Sequence, residues 1–412
     1  MIQFNEFVLD NGLKVYVHED HHIASAVVNI MYDVGSRDEN PNKTGFAHLF
    51  EHLMFGGSVN IPSYDTPLQK VGGTNNAFTS PDITNYYITL PAQNLETAFW
   101  LEADRMLSLS FDPKVLEVQR KVVIEEYKQR YINQPYGDVW HHLRELAYEK
   151  HSYNWPTIGK DISHIEEATM DDVKAFFQKY YVPSNAVMVV AGNVKLEEVK
   201  RLSEKWFASI PSGVKPERNI PVEPIQTAPK RKIVEESVPL DMLYKVWHME
   251  GRTDESYYST DLVSDLLGRG KSSVLYQKLV KNEQLFSGLS AYITGSFDPG
   301  LLCITGKMAD GVTIEDAEAG LNDTLKEFSS KEIPTESLEK VKNQAEFSMT
   351  YGKTEILPRA MSIAFGATLG NPNLINEEEE KLRSVTVEEV TSKAKNILTE
   401  DNSSTLYYKA KK

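Results

Sequence analysis

Two histidines four positions apart, with a glutamate beside the second, have the types and spacing to do chemistry together: His48-Leu49-Phe50-Glu51-His52. Residues four apart on an α-helix stand one turn above each other, so both imidazoles project from one side and can hold a single ion. Glu51 lies three positions after His48, close enough to reach a water on that ion without displacing a ligand. Phe46, Leu49, Phe50, Leu53, Met54 and Phe55 make the segment apolar almost all round. Such a helix must be buried, and three ionisable side chains within it need partners. Zinc would supply them: with three protein ligands it keeps a fourth position for water, lowers that water's pKa to roughly 7 and polarises a carbonyl. A carboxylate then takes the proton and passes it to the leaving amine. The ligand types admit manganese or cobalt as well. Taken alone, the motif also fits a helix with two hydrogen-bonded core histidines, and a third ligand decides between the readings.

A third ligand is offered by the long amphipathic segment at residues 113–132, which contains the adjacent pair Glu125-Glu126. Glu126 follows Val122 at i+4 and Val123 at i+3, so it leans toward their buried side, whereas Glu125 is ambiguous. Periodicity leans to Glu126 and leaves Glu125 open.

These side chains need a scaffold, and the sequence around them alternates strand-like and helical text. Strands are expected at residues 14–18, 26–32, 86–90 and 186–191, with helices at 45–55, 95–108, 113–132 and 170–180. Residues 211–229 turn rich in proline and charge and read as a linker. Beyond them the order begins again: strands at 242–247, 290–294 and 301–306, and helices at 257–267, 314–328 and 337–351. A short echo, VGSRDE at 34–39 and EGRTDES at 250–256, precedes the first helix of each half. The expectation is an α+β protein of two homologous sheet-plus-helices domains, residues 1–212 and 231–412, joined by a linker at 213–230.

Composition narrows the function. A chain of 412 residues suits two domains of roughly 200 residues each. Its 44 basic and 59 acidic side chains give 44 − 59 = −15, and the only basic run is a short tail, which argues against a nucleic-acid partner. No apolar run approaches the ~20 residues that cross a bilayer. The opening MIQFNEFVLDNGLKVYV lacks the pattern of a secretory signal. The single cysteine, Cys303, sits in GLLCITG and reads as a buried strand residue. A cytoplasmic location is the simplest expectation, with a periplasmic one if a signal has been trimmed. The pairs His21-His22 and His141-His142 do not make a second metal site, because adjacent side chains diverge. Glu377 to Glu380 reads as a charged helix start, and Gly268-Arg269-Gly270-Lys271 lacks the spacing of a phosphate loop.

The inverted zinc motif and its surroundings resemble the pitrilysin/insulysin family of inverzincins, in particular its small members related to mitochondrial processing peptidase. GFAHLFEHLMFGGS, GGTNNAFTSPDITNYY, RKVVIEEYKQR, HSYNWPTIG and FFQKYYVPSNAVMVVAGNV agree in order, so the resemblance spans nearly all of the first half. In the second half it rests on element order and SSVLYQKL. The resemblance implies zinc held by His48, His52 and Glu126, with Glu51 as catalytic base. It implies further that Asn76, Ala77, Phe78 and Thr79 form an edge strand that pairs with an extended peptide substrate. The chain departs from the family in two respects. Gln119 stands where a supporting glutamate is usual, seven residues before Glu126. Val280 and Ser287 stand where relatives carry an Arg and a Tyr that hold the substrate and stabilise the oxyanion. The expected function is a zinc-dependent endopeptidase acting on peptides or unfolded segments as a dimer, in which another subunit supplies the Arg/Tyr pair; homodimer and heterodimer with a related chain both stay open. The alternative is a non-catalytic structural subunit of such a complex.

Overall fold

The computed structural model of the chain describes residues 1–411. The first half runs β1 (Asn5–Val8), β2 (Lys14–Glu19), β3 (Ser25–Tyr32), α1 (Phe46–Leu53), α2 (Asp65–Lys70), β4 (Thr74–Thr79) and β5 (Thr84–Pro91). It continues with α3 (Leu95–Leu107), α4 (Pro113–Tyr127), α5 (Val139–Ala147), α6 (Ser163–Glu166), α7 (Met170–Tyr180), β6 (Ala186–Gly192) and α8 (Leu196–Phe207). The second half runs β7 (Lys230–Glu236), β8 (Met242–His248), α9 (Tyr257–Gly268), β9 (Phe286–Ile293), β10 (Leu301–Met308) and α10 (Ile314–Ser330). It ends with α11 (Thr335–Gly352), α12 (Ile356–Thr368), α13 (Leu374–Ser384), α14 (Val387–Ile397) and β11 (Ser403–Ala410).

The expected α+β duplication is present. One sheet is ordered β1-β2-β6-β3-β5-β4 and the other β7-β11-β8-β10-β9. In the first, β2 and β6 are parallel, and β6–β3, β3–β5 and β5–β4 are antiparallel. In the second, β7 and β11 are parallel, and β11–β8, β8–β10 and β10–β9 are antiparallel. The succession of directions is the same, so each sheet is one copy of a common topology, with β1 added at the rim of the first.

The compact units differ from the expected 1–212 and 231–412. One comprises Met1–Lys128, Trp155–Ile220 and Thr350–Glu377; the other comprises Gln129–Asn154, Pro221–Met349 and the chain from Glu378 onward. The reason is packing. Helix α12 buries Ala360, Ile363, Ala364 and Ala367 and lies against β6 and β3 of the first sheet. Arg359, near its start, donates from Nη1 to Asp20 Oδ2 at 2.7 Å, which ties the helix to that sheet. Conversely, α5 packs on β11, β7 and β8, with Val139, Leu143 and Ala147 in one buried cluster with Tyr244, Leu301, Cys303 and Leu406. Apolar periodicity says that a helix face is buried; it does not say against which sheet.

Residues 211–229 carry neither helix nor strand, as a linker would. They are nevertheless bonded within their own units. Arg218 donates to Asp38 Oδ1 at 2.6 Å and to Asp33 Oδ2 at 2.8 Å. Glu223 accepts from the backbone N–H groups of Glu149, Lys150 and His151 at 2.7, 2.9 and 2.9 Å. Cys303 is fully buried in β10, and burial pushes its thiol up to about 12. Among the described residues no helix is long and apolar enough to cross a membrane.

Candidate metal centre

Helix α1 carries the paired histidines, and its entry is built with care. Gly45, its N-cap, takes φ +85, and a Cβ there would lie 2.7 Å from the carbonyl oxygen of Ile158. Glycine meets both demands. A glycine cap has no side chain to receive the free N–H groups of the first turn, and Glu39 does so from six residues upstream. Its Oε2 accepts from Gly45 N at 2.9 Å and its Oε1 from Ala47 N at 2.8 Å, while Trp155 Nε1 donates to Oε2 at 3.0 Å. Burial pushes the Glu39 carboxyl up to about 8, against the pull of those three donors. The floor of α1 is apolar: Phe50 stacks on Phe176 and Tyr181, with ring centroids 4.8 and 5.2 Å apart.

Glu39→Ala is therefore expected to destabilise the protein by about 2 kcal/mol, the usual scale for leaving buried donors unsatisfied, read by denaturant unfolding in excess chelator. The pH dependence has a definite sign. A carboxyl whose pKa is raised on folding stabilises the fold below its ordinary value of 4.5, and that contribution is lost as pH rises through about 8. Glu39→Gln, which copies the neutral form, should flatten that decline; an unchanged profile would contradict the assignment.

From this helix His48 and His52 project toward α4, against which α1 packs. A single oxygen of Glu126 lies 3.7 Å from His48 Nε2 and 3.5 Å from His52 Nε2. One donor atom from each of the three residues lies within 4.8 Å of the others, the only such cluster of three or more His, Cys, Asp or Glu among the described residues. These separations are long for hydrogen bonds. They match a tetrahedron with ~2.0–2.1 Å bonds to its centre, whose edges are about 3.4 Å. The spacing therefore fits one zinc-sized ion. The side chains are 13, 23 and 19 % exposed, so the cluster is shielded yet reachable. Glu125, the open alternative, points elsewhere: its side chain is 61 % exposed and accepts from Lys128 Nζ at 2.9 Å.

Glu51 lies beside His52 and accepts a 2.6 Å hydrogen bond from Thr79 Oγ1. Thr79 closes β4, which is the edge strand that the resemblance implied. The pleat divides the four residues proposed for substrate. Asn76 and Phe78 are exposed on one face, while Ala77 and Thr79 are half-buried on the other. Asn76 Oδ1 accepts from Ala77 N at 2.8 Å. The hydroxyl of Thr79 thus serves Glu51, a contact that spans 28 residues of sequence and leaves no local trace.

Gln119 is half-buried on α4, two turns before Glu126. Val280 packs against a core cluster of the second half, and Ser287 is exposed on β9, donating to the carbonyl of Lys307 at 3.3 Å. The other histidine pairs do not converge on a metal. His21 bonds Asn193 and Glu19, and His142 meets Asp138 at 3.0 Å.

Comparison with known proteins identifies the family. The family model described as "Insulinase (Peptidase family M16)" matches residues 14–161, and that described as "Peptidase M16 inactive domain" matches 167–345. The zinc protease PqqE of Helicobacter pylori is 32% identical over 342 residues, covering 81% of this chain and 76% of that protein. The uncharacterized zinc protease YmxG of Bacillus subtilis is 26% identical over 96% of both chains. A protease from Helicobacter pylori of known crystal structure superposes with a TM-score of 0.92 at 27% identity, over 99% of this chain and 100% of that one. Relatives named as zinc proteases support a peptidase role and imply zinc in the family. With the duplicated topology, the first-half match and a relative this similar over most of its length, the chain belongs to the insulinase family of peptidases, M16.

Proposed function

We propose that this chain is a zinc-dependent endopeptidase that cleaves extended or unfolded peptides. One observation carries the reading: the side chains of His48, His52 and Glu126 converge on one point, and the helix that carries both histidines also carries Glu51. His48, His52 and Glu126 would hold the ion, with Glu126 contributing the negative charge of the set. Zinc, when bound, supplies Lewis acidity toward water and the scissile carbonyl.

The remaining steps belong to protein side chains. Glu51 is the general base and returns the proton to the leaving amine. Thr79 Oγ1 donates to Glu51 Oε2, which favours the ionised form. β4 lies at the edge of its sheet. An extended peptide added there is held by its backbone amides, so cleavage tolerates many side chains.

Val280 and Ser287 have neither guanidinium nor phenol, so a related second chain supplies the Arg/Tyr pair that completes the oxyanion site. The same two residues favour a second reading, a non-catalytic structural subunit. Cleavage of a quenched peptide library separates the readings when measured for the chain alone and with each co-purifying relative. Turnover that needs the relative and stops with chelator is the expected result. Full turnover by the isolated monomer would refute the two-chain site, and none in any assembly would refute the peptidase.

A further inference from the structure

The two sheets end differently on one side. In the first, β1 covers β2 and pairs with it antiparallel, from Asn5 opposite Val17 to Val8 opposite Lys14. β7 holds the matching place in the second sheet, parallel to β11 as β2 is to β6, and among the described residues no strand lies outside it. One contact fixes which of its backbone groups face outward. Glu236 O accepts from Lys411 N at 2.9 Å, one residue beyond its partner Ala410. Residues that bond one neighbour alternate along a strand with those that face the other side. Lys230, Lys232, Val234 and Glu236 therefore turn N–H and C=O to β11, and Arg231, Ile233 and Glu235 turn theirs to the rim. Among the described residues no other backbone group meets those outward ones. Sheet rims are guarded against adventitious pairing by prolines, bulges or charge. β7 has neither proline nor glycine, and its register with β11 runs unbroken from Lys230 to Glu236. Charge alone guards it, and that charge is sorted by sign: Lys230-Arg231-Lys232 at one end and Glu235-Glu236 at the other. Ile233, 55 % exposed, stands between them.

We propose that β7 is a surface through which two copies of this chain associate, the two strands pairing antiparallel with Ile233 opposite Ile233. The inference goes beyond the peptidase reading and does not depend on it. In that register Lys230 meets Glu236 and Arg231 meets Glu235, and the two-fold axis repeats both pairs, as an isologous contact requires. Arg231–Glu235 and Ile233–Ile233 fall at the outward-facing positions, so each of these pairs exchanges two backbone hydrogen bonds. Parallel pairing would set lysine on lysine and glutamate on glutamate, which is destabilising. A slip that centres the axis on Lys232 puts its two copies face to face. The opposite slip, centred on Val234, keeps only Lys232–Glu236 among the opposed charges. The pattern that repels other strands thus accepts one partner, the same strand reversed. Lys230, Arg231 and Glu236 also pair within the chain, with Glu149, Glu318 and Lys411. Exposed ion pairs are worth little, so the charges set the register and the backbone supplies the attachment. β1 on β2 shows that this topology admits an antiparallel strand at that rim.

Sedimentation velocity on the purified full chain over a concentration series should show a reversible monomer–dimer equilibrium. Ile233→Pro removes an outward N–H that the chain itself does not use, so the melting curve should hold while the dimer is lost. Glu235→Lys sets like charges opposite Arg231 in two symmetric places and should weaken the dimer about tenfold or more. Cross-linking reads the register. Opposed Cα atoms of a hydrogen-bonded antiparallel pair stand about 5.5 Å apart, within disulfide range. Ile233→Cys should therefore join two chains under oxidised glutathione, and Glu235→Cys should not. Cys303 is buried and does not compete. A chain that stays monomeric at every concentration overturns the proposal. So does a dimer that Ile233→Pro and Glu235→Lys both leave unchanged, or a cross-link through Glu235→Cys in place of Ile233→Cys. A β7-dependent complex with a related chain, and none of the chain with itself, would make that relative the occupant and overturn the second copy.

Discussion

Glu51→Gln is expected to lower turnover by about 10³-fold, within the 10²–10⁴ range that a positioned general base contributes, while zinc stays bound at one ion per chain. The separation of effects follows from the geometry. The three side chains that converge as donors for an ion are His48, His52 and Glu126, and Glu51 is not among them. Glutamine is isosteric and can still accept the hydrogen bond that Thr79 gives to Glu51, so α1 keeps its place. Only the proton acceptor is lost. Thr79→Val is the milder companion: it removes the donor that favours the ionised carboxylate and should move the acidic limb of the pH–rate profile upward, with a smaller fall in rate. Metal analysis beside single-turnover cleavage reads both quantities. Equal turnover by Glu51→Gln would reject the base assignment, and loss of zinc would make Glu51 a ligand.

How much of this was legible in the text of the chain depends on the range of each interaction. The paired histidines were legible because four residues are one helical turn, a local fact, and α1 forms where the apolar run stands. The duplication was legible in element order, since strands and helices declare themselves by period. What failed was anything fixed by distant packing. β7, KRKIVEE, is a rim strand with no fully buried position: Lys230, Lys232 and Val234 are half-buried while Ile233 is exposed, so no apolar period marks it. Helix α12 shows an apolar face, but nothing local says that it closes the first sheet rather than the second. Glu39 escapes because it caps α1 from six residues before the glycine, outside the usual spacing of N-cap and third helical residue. The contact from Thr79 to Glu51 depends on where β4 lies beside α1, and register across a sheet is a tertiary result.

Glu125 and Glu126 sharpen that distinction into a measurement. Adjacent residues on a helix point about 100° apart, so two chemically identical side chains one position apart cannot share a role. Glu126 turns an oxygen to within 3.7 Å of both imidazoles, and Glu125 turns to solvent and Lys128. Glu126→Gln should therefore weaken zinc binding by more than the roughly 10–100-fold that follows loss of a mere supporting partner, because a charged donor to the ion itself is replaced by a neutral one. Glu125→Gln removes one exposed ion pair worth at most about 1 kcal/mol of stability and should leave zinc affinity unchanged. Competition with a chromogenic chelator gives both affinities in one experiment. The two mutants alter the same atoms of the same residue type on the same helix, with the same change in net charge, so general electrostatics cannot separate them. Only direction can: if Glu125→Gln lost zinc as readily as Glu126→Gln, the ion would be held by the charge of the region, and a three-residue site would be the wrong description.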